Sequence, residues 1–132
     1  MDILKTKLGP WAPQILSLIR ILTALLFLEH GTVKLFGWPG PGPATLAPMY
    51  MAAAWIELVG GALLAVGLFT RWCAFIMSGE MAFAYFIGHA PNGFFPILNR
   101  GDAAILYCFI FLYIAAAGGG VWSLDRSMRN TD

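Results

Sequence analysis

The chain has 132 residues, 59% of them hydrophobic and only 11% charged, with a net charge of +1. A soluble domain is about 45–50% apolar and about 25% charged, so the departure in both directions is a membrane signature. The charge balance leaves no broad basic surface for nucleic acid, and Cys73 and Cys108, with no CxxC, leave no zinc or thioredoxin-like motif.

The N-terminal stretch MDILKTKLGPWAP reads as a short head carrying Lys5 and Lys7. It lacks the short apolar core and small-residue cleavage site of a signal peptide. Trp11 suits a membrane interface, and Pro13 suits the first turn of a helix. A helix over about 13–36 follows, about 35 Å long and enough to span a bilayer with some tilt. It carries Arg20, Glu29, His30 and Lys34. An ionised group at the bilayer centre costs a few kcal/mol on insertion scales, so such residues normally face protein or a wet cavity. Trp38 and the run WPGPGPATLAP end the helix in an ordered loop.

A second helix is predicted over about 48–69, with Glu57 near its middle. Gly60, Gly61 and Gly67 lie among alanines, and small residues let helix backbones approach closely in a membrane. Glu57 and Gly61 are four apart and share a face, so the acid points at a neighbouring helix. The tight Thr70-Arg71 turn makes the third helix, about 72–88, an antiparallel neighbour, with Glu80 near its centre. The loop HAPNGFFPILNRGD is too apolar at Phe94 and Phe95 for free solvent and is expected to fold over the mouth of the bundle. Asp102 is placed as the N-cap of a fourth helix, about 103–117. Gly118, Gly119 and Gly120 close it, and a polar tail with Trp122 follows.

The expected fold is an all-α, integral membrane four-helix bundle, one domain over 1–132 with its core at about 15–125. Lys5, Lys7, Arg71, Arg126 and Arg129 fall in the head, the 2–3 turn and the tail. The positive-inside bias therefore puts both termini in the cytoplasm. Glu29, His30, Lys34, His89 and Asp102 then lie in the outer half, Glu57 and Glu80 near mid-depth, and Arg20 in the inner half. The polar groups line an outward-facing funnel.

The pieces LIRILTALLFLEHGTVKLFGW, ELVGGALLAVGLFTRW, EMAFAYFIGHAPNGFFPILNRGD and VWSLD, in that order and spacing, resemble the DoxX family of small four-helix bacterial membrane proteins. The resemblance covers about residues 15–125. It implies a four-helix membrane fold in the bacterial inner membrane. The wider grouping includes the DoxD subunit of an archaeal thiosulfate:quinone oxidoreductase, the MauE protein of methylamine utilisation and a eukaryotic cargo-receptor branch. In some bacteria it is linked to a membrane oxidoreductase complex that handles thiol stress. The matching positions are Arg20, His30, Gly31, Lys34, Glu57, Gly60, Gly61, Glu80, Tyr85, His89, Asn99 and Asp102. Tyr85 and Asn99 enter the candidate ligand set on that ground alone. The family often carries Glu where this chain has Asp102, and it supplies no catalytic residues to carry over.

His30 and Lys34 share a face one turn apart and can present donors to an anionic or carbonyl ligand such as a quinone. The structural alternative has Lys34 snorkelling to the interface and His30 bonding a helix backbone. Glu57 and Glu80 are the candidate catalytic residues, because a protonated glutamate can hand a proton to a reduced ligand. Their alternative is a hydrogen bond that fixes helix register, or an ion pair with Arg20, which is otherwise structural. Glu29 projects about 100° from His30, toward the same cavity or a second protomer. His89 and Asp102 form a gate if bonded together, or a helix end and an N-cap if apart.

His30, His89, Glu57 and Glu80 are suitable metal ligands by type, yet no HxxxH or ExxH pair occurs. Cys73 and Cys108 differ in depth by about 10 Å, and bridged cysteines need Cα atoms within about 7 Å. Both read as buried apolar fillers.

Three function classes remain. The first is a membrane subunit of a thiol- or quinone-linked redox system, an oxidoreductase subunit with a bound quinone as the one candidate cofactor and electrons from a redox partner protein. No haem, flavin or iron–sulfur motif is present. The second is a small-solute transporter or channel, which needs a homo-oligomer. The third is a non-catalytic scaffold or cargo binder. The lipid bilayer is a partner in all three, and nucleic acid in none.

Overall fold

The computed structural model describes residues 2–129, and every described element is helical. The outermost residues of the expected 1–132 domain, with the chain termini, lie outside the described set. The head contains helix α1, Ile3–Leu8, capped by Asp2 whose side chain accepts from the Leu4 N–H at 3.0 Å. A 3-10 turn, Gly9–Trp11, joins it to α2, Ala12–Phe36. The sequence reads only as a short head here, yet the helical axis runs on across Gly9 and Pro10. Pro tolerates the first turn of a helix, so the axis continues through them. α2 ends as expected, at Gly37 in the left-handed conformation.

The Gly/Pro loop folds back on α2. A Cβ at Gly42 would overlap the Val33 carbonyl. Helix α3, Pro48–Val66, follows and contains a π turn at Ile56–Gly60. It ends three residues earlier than expected, at left-handed Gly67, so 67–69 form the turn. Helix α4, Thr70–Ala84, correspondingly starts two residues early and runs on as a π turn, Tyr85–His89. The one-turn helix α5, Pro96–Asn99, precedes α6, Asp102–Ala117, and α7, Leu124–Arg129, closes the described chain.

Two helical stretches, Ile3–Phe36 and Pro48–Val66, are long and apolar enough to cross a membrane, and α6 is a shorter apolar helix. Large apolar side chains such as Leu22, Trp72, Phe83 and Phe109 face outward, as expected of helices whose solvent is lipid. Inside, Ala24 and Phe27 of α2 pack with Leu64 of α3, Ala74, Met77 and Met81 of α4, and Ala104, Phe111 and Ile114 of α6. Phe27 meets Phe111 edge-on, ring centroids 4.9 Å apart. Ser78 donates to the Cys108 carbonyl at 2.8 Å, tying α4 to α6.

The tail is no free extension. Arg20, fully buried, donates to the carbonyls of Gly119 and Trp122. Its expected alternatives, an ion pair with Glu57 or Glu80, are replaced by this contact. The Asp125 carboxylate accepts from the Phe69 and Thr70 N–H groups at 2.9 and 2.8 Å. These are open donors at the start of α4, so a distant carboxylate caps that helix. The Asp125 N–H in turn donates to the Gly67 carbonyl at 2.9 Å. The N-terminal end of α2, the α3–α4 turn and the tail thus meet at one end of the molecule.

Candidate functional site

The site begins with two glycines and a π turn. Gly31 of α2 lies against α3 so closely that a Cβ there would come within 2.8 Å of the Ala54 carbonyl and the Leu58 N–H. Gly61 lies similarly against Leu28 and the Ala24 carbonyl. Small residues at these crossings are what let apolar helices touch backbone to backbone in lipid. The π turn adds a residue to the helical repeat, as such turns often do at functional sites. Glu57 sits in that turn and is 2% exposed. Lys34, three residues past Gly31, is carried over it.

Lys34 Nζ stands 2.6 Å from Glu57 Oε1, a strong charge-assisted bond. Glu80, from α4, lines the same cavity as Glu57 and Lys34. Glu57 Oε2 and both carboxyl oxygens of Glu80 are buried without a hydrogen-bond donor. Two ionised carboxylates can only accept. Buried polar atoms are nearly always partnered, and a proton held between the two groups would partner two of these three oxygens.

These groups form the polar end of a cavity of about 680 Å³ between α3 and α4. Apart from these and His89, its walls are mostly apolar: Met49, Tyr50, Ala53 and Ile56 on one side, Ile76, Phe83, Ala84 and Ile87 on the other. Gly79 leaves space open, with no atom within 4 Å of where a Cβ would stand. That is the volume class of small-molecule sites, which are mostly apolar with a few convergent polar groups.

Of the residues singled out in the sequence, Lys34, Glu57, Glu80 and His89 line this cavity. Lys34 does not snorkel away; it turns inward to Glu57. Tyr85 and Asn99 form an adjoining network. Asn99, 3% exposed, donates to the Gly93 carbonyl at 2.9 Å and the Tyr85 hydroxyl at 3.3 Å, and accepts from the Gly101 N–H at 2.8 Å. His89 Nδ1–H donates to the Asn99 carbonyl at 3.1 Å, so of the two readings of His89 and Asp102 the bonded gate does not form and the residues stand apart.

Asp102 is not the N-cap. Gly101 holds that place, and Asp102, exposed, is the first helical residue with Oδ1 accepting from the Ala103 N–H at 3.1 Å. His30 is absent from the cavity wall. Its Nδ1 bonds the Leu26 carbonyl at 3.1 Å, and its ring packs on Phe27 and Tyr107. The single cavity expected for Glu57, Glu80 and His30 is corrected to one shared by Glu57, Glu80 and Lys34.

Cys73 and Cys108 are both free thiols, and Cys108 lies against Ser78. No group of three or more His, Cys, Asp and Glu able to hold a metal occurs among the described residues. Two features escaped the sequence reading. The wall residues Tyr50, Gly79 and Phe83 carry no signal beyond helical spacing from Glu57 and Glu80. The Asp125 cap had one: the polar tail holds an acid, and the N-terminus of α4 offers no side-chain cap of its own.

A family model described as DoxX matches residues 15–90. A Haemophilus influenzae protein described as an uncharacterized protein is 45% identical over 127 residues, which cover 91% of this chain and 95% of the relative. No solved structure matches the chain.

Proposed function

The chain belongs to the DoxX family of membrane proteins, and from that premise we propose that it is the ligand-binding membrane subunit of a redox system, taking a quinone-like molecule from the bilayer into the α3–α4 cavity. The observation that carries this reading is the Lys34–Glu57–Glu80 cluster at the polar end of an apolar cavity. Intramembrane ionisable residues mark ligand or proton pathways by default. Here they are aimed at a space whose walls would accept an isoprenoid or acyl chain.

In this reading the protein is a multi-pass four-helix bundle of the bacterial inner membrane, its spans being α2, α3, α4 and α6. Both termini face the cytoplasm. Lys5, Lys7, Arg71 and Arg126 support that orientation by the positive-inside rule, and the tail contacts that gather the α2 N-terminus and the α3–α4 turn agree with it.

The chemistry divides between residues. Lys34 keeps two of its three N–H donors beyond the bond to Glu57, and one can polarise a ligand carbonyl oxygen. Glu80 delivers a proton to that oxygen as it gains electron density. Glu57, fixed by Lys34, holds Glu80 in place, and Glu80 takes up the second proton from water at the cavity mouth. Conversion of a quinone to a quinol takes two electrons and two protons. The electrons come from a partner redox protein; the protons come through Glu80.

The test is a titration of the purified protein in detergent with a short-chain ubiquinone, read by quenching of tryptophan fluorescence. Saturable binding by the parent chain, weakened at least tenfold in Glu80→Gln and in a Gly79→Leu variant that fills the cavity, supports the reading. Equal affinity in all three overturns it.

A further inference from the structure

We propose that α2 is the seam of a parallel homodimer, held at its outer end by reciprocal bonds between Glu29 of one copy and His30 of the other. Ile15, Ile19, Leu22, Leu26 and Glu29 recur at spacings of four, three, four and three. That is the heptad pattern of a two-helix seam. All five are exposed, Leu22 by 59% and Leu26 by 54%. The inward face of the same helix is already occupied by Ala24, Phe27 and Gly31.

A leucine stripe alone would be content in lipid. Glu29 is not. It is exposed on a 25-residue helix, seven residues before its end at Phe36, so it lies about 10 Å inside the helix terminus. Its carboxyl has no hydrogen-bond or ion-pair partner among the described residues. His30 is its chemical complement. Nδ1 must be the donor in the bond to the Leu26 carbonyl, because that oxygen only accepts. Nε2 remains, with no partner among the described residues. One proton between Nε2 and a carboxyl satisfies both, whichever group holds it.

A single copy cannot make this bond. Adjacent helical residues project about 100° apart. A second copy can. Copies inserted with the same topology are related by a two-fold axis along the membrane normal, which conserves depth. Glu29 and His30 differ in depth by about 1.5 Å, so each meets the other's counterpart across the axis. In the heptad register Glu29 is a d-position knob, and the hole that receives it includes the following residue of the facing helix, the partner's copy of His30. The patch is self-complementary, as a two-fold interface requires.

The test uses full-length protein in native membranes, with Cys73→Ala and Cys108→Ala to remove the thiols. Leu22→Cys and Leu26→Cys should give covalent dimers under mild oxidation, and Phe75→Cys, exposed on α4, should not. In parallel, single-molecule photobleaching in liposomes gives the dimer dissociation constant. Glu29→Leu and His30→Leu should each weaken it about tenfold or more. The double variant should add little, because each change removes the same bonds. A monomeric parent chain, cross-linking at Phe75→Cys in preference to Leu22→Cys, or capture of a different polypeptide on this face would overturn the proposal. Quinone titration plays no part in these readouts, so the dimer and the ligand site stand or fall separately.

Discussion

Lys34 Nζ and Glu57 Oε1 lie 2.6 Å apart across 23 residues of sequence. The contact depends on Gly31, which lets α2 and α3 touch, and on the π turn that holds Glu57. Removing one member of a buried pair leaves an uncompensated charge, which costs more than the pair itself contributes. Lys34→Met should therefore destabilise the protein by about 3 kcal/mol, the low end for a buried pair because Lys34 is partly exposed. Lys34→Met combined with Glu57→Met should recover most of that loss. A double-mutant cycle by thermal unfolding in detergent reads the coupling; additive losses would sink the pairing.

Gly31 and Gly79 make opposite predictions for the same substitution. Gly31→Ala forces a methyl against α3 backbone and should cost about 1–3 kcal/mol by overpacking. Gly79→Ala meets nothing within 4 Å. It should be neutral or stabilising by up to about 1 kcal/mol, since Ala is the better helix former. Melting temperatures of the two variants against the parent decide it.

Asp125 ties the tail to the start of α4 through two backbone N–H groups. Asp125→Ala leaves buried donors unpaired and should cost about 2–4 kcal/mol, more than a typical cap. Hydrogen exchange should rise at Phe69 and Thr70 and along the first turn of α4. Unchanged protection there would show that the cap is dispensable.

Asn99 clasps the loop between α4 and α6. Asn99→Ala removes three hydrogen bonds and should raise exchange and proteolysis over 89–101 while leaving the 70–84 helix protected. Asp102→Ala, at an exposed position with one local bond, should change neither by a measurable amount.

Much of this was legible in the sequence. The apolar runs placed the helices to within a few residues, and the cost of burying Glu57 and Glu80 picked out two of the three groups at the polar end of the cavity. Lys34 was ambiguous because a lysine near a helix end usually reaches for the interface; Gly31 and the π turn, neither visible as periodicity, turned it inward. His30 was misplaced for a related reason. Residues four apart share a face only roughly, and the bond to the Leu26 carbonyl together with packing on Tyr107 draws the ring toward α6. Asp102 looked like a cap because it precedes an apolar run, yet Gly101 takes that position. The Asp125 cap joins residues more than fifty apart; the acid in the tail and the uncapped start of α4 are both visible, but no local pattern pairs them.

The most direct measurement of the proposed ligand site is photoaffinity labelling of the detergent-purified protein with an azido-ubiquinone, followed by peptide mapping. Label confined to residues 49–57 and 76–89, competed away by unmodified short-chain ubiquinone and lost in Gly79→Leu, is the expected result. Label that falls elsewhere, or that excess ubiquinone does not displace, would contradict the assignment of the α3–α4 cavity as a quinone site.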